Sequence, residues 1–107
     1  MRISVITPVY NDSAKLLECV SALTGLGHPN LEIIVVDDGS TEEISSVIDP
    51  SSVRLLRLSR NSGPAAARNW GARHARGDIL FFVDADVVLA PDAVGRVERA
   101  FLEQPGV

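Results

Sequence analysis

Cysteine, lysine and aromatic residues are scarce in this chain, and no long apolar run occurs. There is one cysteine, Cys19, so no intrachain disulfide framework exists. No Cys/His spacing suits a structural zinc either, and Cys19, set among apolar residues, reads as a small core side chain. Of the 10 lysines and arginines only Lys15 is a lysine, and the net charge is −4 with a pI near 5.0. That balance excludes a nucleic-acid binder, which needs a basic stripe to displace counterions from phosphates. The longest apolar runs, such as Ile79 to Val83, are far too short to span a bilayer. Met1-Arg2 leads straight into a strand pattern without a leader peptide. The expected location is therefore cytoplasmic, with membrane association only through a longer form of the chain. No repeat or low-complexity segment divides the sequence. Its 107 residues are the length of one small domain, 1–107.

What is present alternates between two hydrophobic periods. Ile3 to Thr7 reads as a buried strand stopped by Pro8. Asn11 or Asp12 is placed to cap a helix in which Leu16, Leu17, Val20 and Leu23 recur at helical spacing, ended by Gly25 and Gly27. Leu31 to Val36 is a second strand, rich in β-branched residues. Ser40-Thr41-Glu42-Glu43 has the form of a capping box opening a short helix to about Val47. Val53 to Leu58 is a third strand. Pro64 suits the first position of the next helix, which Arg76-Gly77 closes. Ile79 to Val83 is a fourth strand. A last helix runs from Pro91 to about Glu103, with Val94, Val97 and Phe101 on one face, and Gln104-Pro105-Gly106 stops it. Strands alternating with helices imply an α/β, Rossmann-like, mostly parallel sheet with helices on both faces.

In such a sheet ligands bind beyond the carboxyl ends of the strands, where the strand order reverses. Unusual polar residues stand at three of those ends: Tyr10 and Asn11, then Asp37 and Asp38, then Asp84-Ala85-Asp86. With strand order 3-2-1-4 the three clusters share one crevice. Five apolar residues lead directly into Asp84, which places it where water is scarce. Two carboxylates there repel each other unless a cation neutralises them. Alternating carboxylates suit a hard divalent ion, Mg²⁺ or Mn²⁺, in Asp84 and Asp86. Tyr10 offers a face for a nucleobase, although strand-end aromatics more commonly just pack. Arg68, one turn into the Pro64 helix, lies near the helix N-terminal amides, where a diphosphate would be held. Arg60 is a weaker candidate of the same kind. Ala67, Gly71 and Ala75 form a small-residue stripe for close approach to the sheet. Trp70 reads as core, and His28 and His74 as ordinary surface residues.

The set Thr7-Pro8-Val9-Tyr10-Asn11, Val36-Asp37-Asp38-Gly39-Ser40, Asn61-x-Gly63, Ala66-Ala67-Arg68-Asn69-x-Gly71, Arg76-Gly77-Asp78 and Asp84-Ala85-Asp86 resembles family 2 glycosyltransferases of the GT-A fold. Each motif alone is weak; together, in order along nearly the whole chain, they are specific. The resemblance implies an inverting transferase with a nucleotide-diphosphate sugar donor, most often a UDP-sugar. It implies a nucleotide-sugar site drawn from Pro8, Tyr10, Asn11, Asp37, Asp38, Arg68, Asp84 and Ala85. Tyr10 would pack on the base and Asp38, or Asp37 beside it, would accept a hydrogen bond from it. Asp86 would be the more direct metal ligand and Asp84 would lie nearer the ribose or donor sugar.

The resemblance also implies a later acidic motif supplying the catalytic base. After Asp86 the chain holds Asp92, Glu98 and Glu103 on a helix, none in that context, so the base is expected beyond Val107. The chain therefore reads as a truncated GT-A fold, a donor-binding fragment of a longer catalytic domain, with its acceptor unidentified. The fourth strand would keep a free edge, which association of two copies would cover. The alternative is a non-catalytic nucleotide- or partner-binding module that keeps the fold. A dehalogenase-like phosphatase would place Asp-x-Asp after its first strand, and a receiver domain would need an aspartate after strand three, where Leu58-Ser59-Arg60 stands.

Overall fold

The computed structural model describes residues 1–103. Four strands, β1 (Ile3–Val9), β2 (Leu31–Asp38), β3 (Arg54–Leu58) and β4 (Ile79–Phe82), form one parallel sheet in the order β3-β2-β1-β4. Helix α1 (Ser13–Gly25) follows β1, a single 3-10 turn (Ile44–Val47) follows β2, α2 (Pro64–His74) follows β3, and α3 (Ala93–Glu103) follows β4. The expected α/β class and strand order are what the structure has. The expected stop at Gln104-Pro105-Gly106 lies outside the described residues.

Alternation along the strands divides the core between the two faces. Ile3, Val5 and Val9 of β1 join Ile33 and Val35 of β2 under α1, together with Val94 of α3. Ile6, Ile34 and Val36 face α2 through Ala67. Both faces of β1 and β2 are thus covered, which is why these strands read as continuous apolar runs. The small-residue stripe does what its composition suggests. A Cβ at Gly71 would lie 2.6 Å from Ile6 Cγ2, so only glycine lets α2 settle this close.

Several local expectations give way to tertiary bonds. Pro8 does not stop the first strand, which continues to Val9. The β1–β4 pairing ends at Ile6 and Phe82, so no ladder bond is lost where proline lacks its N–H. Leu17 is 46% exposed, and Cys19, at 1%, takes the inward position instead. The capping box does not form: no side chain caps the 3-10 turn, and Ser40 bonds to Asn11 and Asp37. Gly77 does not close α2, which ends at His74. It allows Asp78 and β4 to pass Ser4, whose Oγ would sit 2.5 Å from an added Cβ. Glu32 joins the same corner. Buried at 8% exposure, it accepts hydrogen bonds from Ser4 Oγ (2.7 Å) and from the Arg76 N–H (2.8 Å).

Candidate functional site

The tips of β1 and β2 are locked together by side chains that sequence reading assigned to helix caps. Asn11 and Asp12 both adopt positive φ, a conformation asparagine and aspartate tolerate better than most. Asn11 Oδ1 accepts from the N–H groups of Thr41 (2.9 Å) and Glu42 (3.1 Å), and its own N–H donates to Ser40 Oγ (2.7 Å). Asp12 makes no side-chain cap on α1; Glu42 instead accepts from the Asp12 N–H (2.6 Å) and the Ser13 hydroxyl (2.9 Å). Asn11 is therefore a structural clasp between two strand ends.

Asp37 and Asp38, both nearly inaccessible, face opposite sides of the sheet. Asp37 accepts from the Ser40 N–H at 2.9 Å and lies 3.7 Å from Arg57 Nε. Asp38 faces α2. Its Oδ1 accepts from the Ser62 N–H at 2.7 Å and its Oδ2 from the Gly63 N–H at 3.0 Å, which fixes the loop that starts α2. Gly39 between them and Ser40 has φ +69, and an added Cβ would lie 2.4 Å from the backbone of Arg60 and Asn61. The two loops pack backbone to backbone at this one position.

A cleft of about 310 Å³ opens above these strand ends, lined by Pro8, Val9, Tyr10, Asp38, Asn61, Gly63, Pro64 and Asp84. It sits where β4 turns away from β1, the switch point expected from the strand order. Of the residues singled out in the sequence, Pro8, Tyr10, Asp38 and Asp84 line it. Arg68 stands beside them, its NH2 3.6 Å from Asp84 Oδ1. Between the two adjacent aspartates, Asp38 is the one that reaches the cleft. Asn11, Asp37, Ala85 and Asp86 are not in its lining; Ala85 packs against the α1-side core. Val9, Asn61, Gly63 and Pro64 were not chosen as site residues. The signal for the last three was in the sequence, in Asn61-x-Gly63 and in the Gly63-Pro64 step that opens α2.

The Asp84 side chain is 63% exposed rather than sequestered from water. The apolar run before it belongs to a strand with one open side, where Leu80 and Phe82 are 42% and 46% exposed. Trp70 is 38% exposed rather than core, lying on the outer side of α2 with its ring centroid 4.8 Å from that of His74. His28 is not an ordinary surface residue: only 16% exposed, it approaches Glu98 of α3 at 3.4 Å.

The donor chemistry around Asp84 and Asp86 can be tested against a divalent ion. Among the described residues no group of three or more His, Cys, Asp or Glu side chains is arranged to hold a metal. Asp84 and Asp86 are both exposed on a turn closed by the Val87 N–H to Asp84 O bond of 3.0 Å. Magnesium-type ions are commonly held by one or two carboxylates, with water and substrate phosphate completing the shell. The pair fits an ion that arrives with a diphosphate and does not fit a resident, fully protein-bound one.

Residues 4–107 match the family described as Glycosyl transferase family 2. The chain belongs to that family. A Haemophilus influenzae protein described as an uncharacterized glycosyltransferase is 40% identical over 95 residues, covering 84% of this chain and 38% of its own length. Glycosyltransferase GlyG of Streptococcus pneumoniae is 35% identical over 97 residues, covering 86% of this chain and 32% of its own. Among solved structures, S. aureus TarS 1-349 in complex with UDP-GlcNAc superposes with a TM-score of 0.88 at 28% identity over 96% of this chain and 32% of that one. The mannosyltransferase PcManGT from Pyrobaculum calidifontis, in complex with GDP-Man and Mn²⁺, gives 0.88 at 30% identity over 99% of this chain and 33% of that one. The fold is thus the GT-A arrangement of family 2 transferases, and the chain spans a minor part of these relatives.

Proposed function

We propose that this chain is the donor-binding part of an inverting family 2 glycosyltransferase that uses a nucleoside diphosphate sugar, with UDP as the carrier, and a divalent cation. The observation that carries the proposal is the cleft itself. One opening at the switch point joins an exposed aromatic ring, a buried carboxylate, the start of α2 and an exposed aspartate with an arginine beside it. A nucleotide is a flat base, a ribose and a diphosphate, and these groups match it in that order.

In this reading Tyr10, 51% exposed, stacks on the base beside Pro8. Each Asp38 oxygen already accepts one backbone N–H, and a carboxylate has about four acceptor positions, so a base N–H can still be taken. Arg68 meets the phosphates with its guanidinium fork, leaving Asp84 free for the ribose or sugar. Asp86, with Asp84, would hold Mn²⁺ or Mg²⁺. Such an ion supplies Lewis-acid stabilisation of charge on the departing diphosphate. The protein's own contribution is to hold the donor with the sugar pointing out of the cleft past Asp84. Asn11, Asp37 and Ala85 act here by shaping the loops rather than by touching the donor.

Two acidic groups of α3 and its approach are engaged away from the cleft. Asp92 pairs with Arg96 at 2.7 Å and Glu98 with His28. The base that deprotonates an acceptor hydroxyl in an inverting displacement is therefore assigned to another segment. Among the described residues the carboxylates lining the cleft are Asp38 and Asp84, both assigned to the donor, and this supports, as second reading, a nucleotide-binding module without transfer activity. The free edge of β4, bearing Leu80 and Phe82, is where a second copy would add.

Calorimetric titration separates these claims. The chain should bind UDP more tightly than GDP. Tyr10→Ala should weaken UDP roughly fivefold or more, the lower range of a lost base stack. A Tyr10→Ala chain that binds UDP as the parent does would remove the base from this cleft. Turnover of a UDP-sugar by the chain alone would sink the assignment of the base to another segment.

A further inference from the structure

Beneath the Asp84–Asp86 turn lie two polar groups that the donor site does not use. Cys19, on α1, is 1% exposed, and its Sγ reaches the backbone oxygen of Asp84 at 3.9 Å, within range for a weak S–H donor. That oxygen also accepts the Val87 N–H, the bond that closes the turn. Thr7, on β1, is fully buried and faces α1, in step with Val5 and Val9. Its Oγ1 is, among the described residues, the buried side-chain oxygen or nitrogen without a hydrogen-bond partner. Both groups are buried in the layer between the sheet and α1. Burial pushes the Cys19 thiol up, the Thr7 hydroxyl pulls it back, and the charge of Asp86 adds to the rise. No hydrogen bond joins the Thr7 hydroxyl to the thiol in this structure, which leaves the buried hydroxyl unpartnered on the α1 side of the sheet.

The position explains why support is needed there. The β1–β4 ladder ends with the Val83 N–H to Ile6 O bond of 3.0 Å, while β1 continues to Val9. From Asp84 onward the chain has left the sheet. A buried hydroxyl without a partner is costly and would ordinarily be replaced by an apolar group of the same shape.

We propose that Cys19 and Thr7 form a hydrogen-bonding support under the Asp84–Asp86 turn and are positioning residues for the cation and diphosphate those carboxylates receive. The role rests on the donor-site reading above. With the S–H directed at Asp84 O, the sulfur is free to accept the Thr7 O–H once the turn moves inward, and the completed chain Thr7–Cys19–Asp84 then sets the height of the turn. A ligand that draws the carboxylates inward completes the bond that is loose without it.

Thr7→Val removes the hydroxyl at constant shape, and Cys19→Ala removes the thiol. If the hydroxyl were only a packing defect, Thr7→Val would raise stability and change nothing else. The proposal expects Thr7→Val to melt no lower than the parent and yet to lose function at the turn. Exchange of the Val87 amide should quicken several-fold in both variants. UDP affinity measured with Mn²⁺ should fall roughly three- to tenfold, the span of one net hydrogen bond, while UDP affinity without metal stays within about twofold. Cys19→Ser, which keeps a donor, should restore most of the Mn²⁺-dependent part. Unchanged Val87 exchange in both variants overturns the support whether or not the site takes a metal. Equal losses with and without Mn²⁺ reduce it to general stability. A parent chain with normal Val87 protection and no Mn²⁺-dependent binding ends the donor-site reading, and the positioning role with it.

Discussion

Asp38 holds two backbone N–H groups before any ligand arrives, and this makes it the residue where fold and site meet. Asp38→Ala leaves the Ser62 and Gly63 amides unpaired at a part-buried site. A loss of about 1–3 kcal/mol of stability, read from urea unfolding, is expected together with loss of UDP binding. Retained stability would mean the loop before α2 holds itself. Gly39, like Gly71, leaves no room for a side chain. Any side chain there is strained at φ +69 and meets the Arg60 backbone, so Gly39→Ala should cost at least about 2 kcal/mol. The sequence pattern names Asp38 first for the base and leaves Asp37 open as an alternative. The register of β2, which turns neighbouring residues to opposite faces, separates them: Asp38 faces the cleft and Asp37 faces Arg57.

Among the elements, the corner joining β1, β2 and the end of α2 depends on one carboxylate. Burial pushes the Glu32 carboxyl up. The Arg76 N–H, the Ser4 hydroxyl and the charges of Arg2 and Arg54 outweigh burial and hold it below the ordinary glutamate range. A carboxyl depressed in the folded state stabilises at pH values above its unfolded pKa, about 4.3. That contribution is lost as pH falls through the lower folded value. Acid unfolding below about pH 4 should therefore be less steep in Glu32→Gln, which is less stable than the parent at pH 7. Identical acid limbs would show that Glu32 does not titrate with folding.

The strands were legible because β-branched runs bounded by Pro, Gly and Asp have one good use, and α2 because Gly63-Pro64 and the Ala67–Gly71 stripe specify its start and its buried side. The caps were not. Asn11, Ser40 and Glu42 have the chemistry of local caps, but their partners are some 30 residues away, and distance along the chain hides such bonds. The same limit misplaced Asp84. An apolar run does not tell whether its strand is covered on both sides, and β4 is an edge strand with Leu80 and Phe82 partly open.

At the scale of the molecule, Leu80 and Phe82 give β4 an apolar face away from the cleft lining, and among the described residues β4 is paired on one side, by β1. No helix among the described residues is long and apolar enough to cross a membrane. Exposed apolar edges of this kind promote pairing between chains. Sedimentation at rising concentration should show self-association, which Phe82→Lys suppresses. A strict monomer at every concentration would contradict pairing through β4. The chain spans 38% and 32% of the lengths of the two relatives it was compared with.

The central claim is that the cleft at the switch point takes a nucleoside diphosphate together with a cation held by Asp86. Titrating UDP into the folded chain with and without Mn²⁺, beside Asp86→Ala, tests it most directly. The account predicts binding that Mn²⁺ strengthens, and a substituted chain that stays folded but no longer responds to the metal. Binding of equal strength with and without Mn²⁺, unchanged in Asp86→Ala, would contradict it.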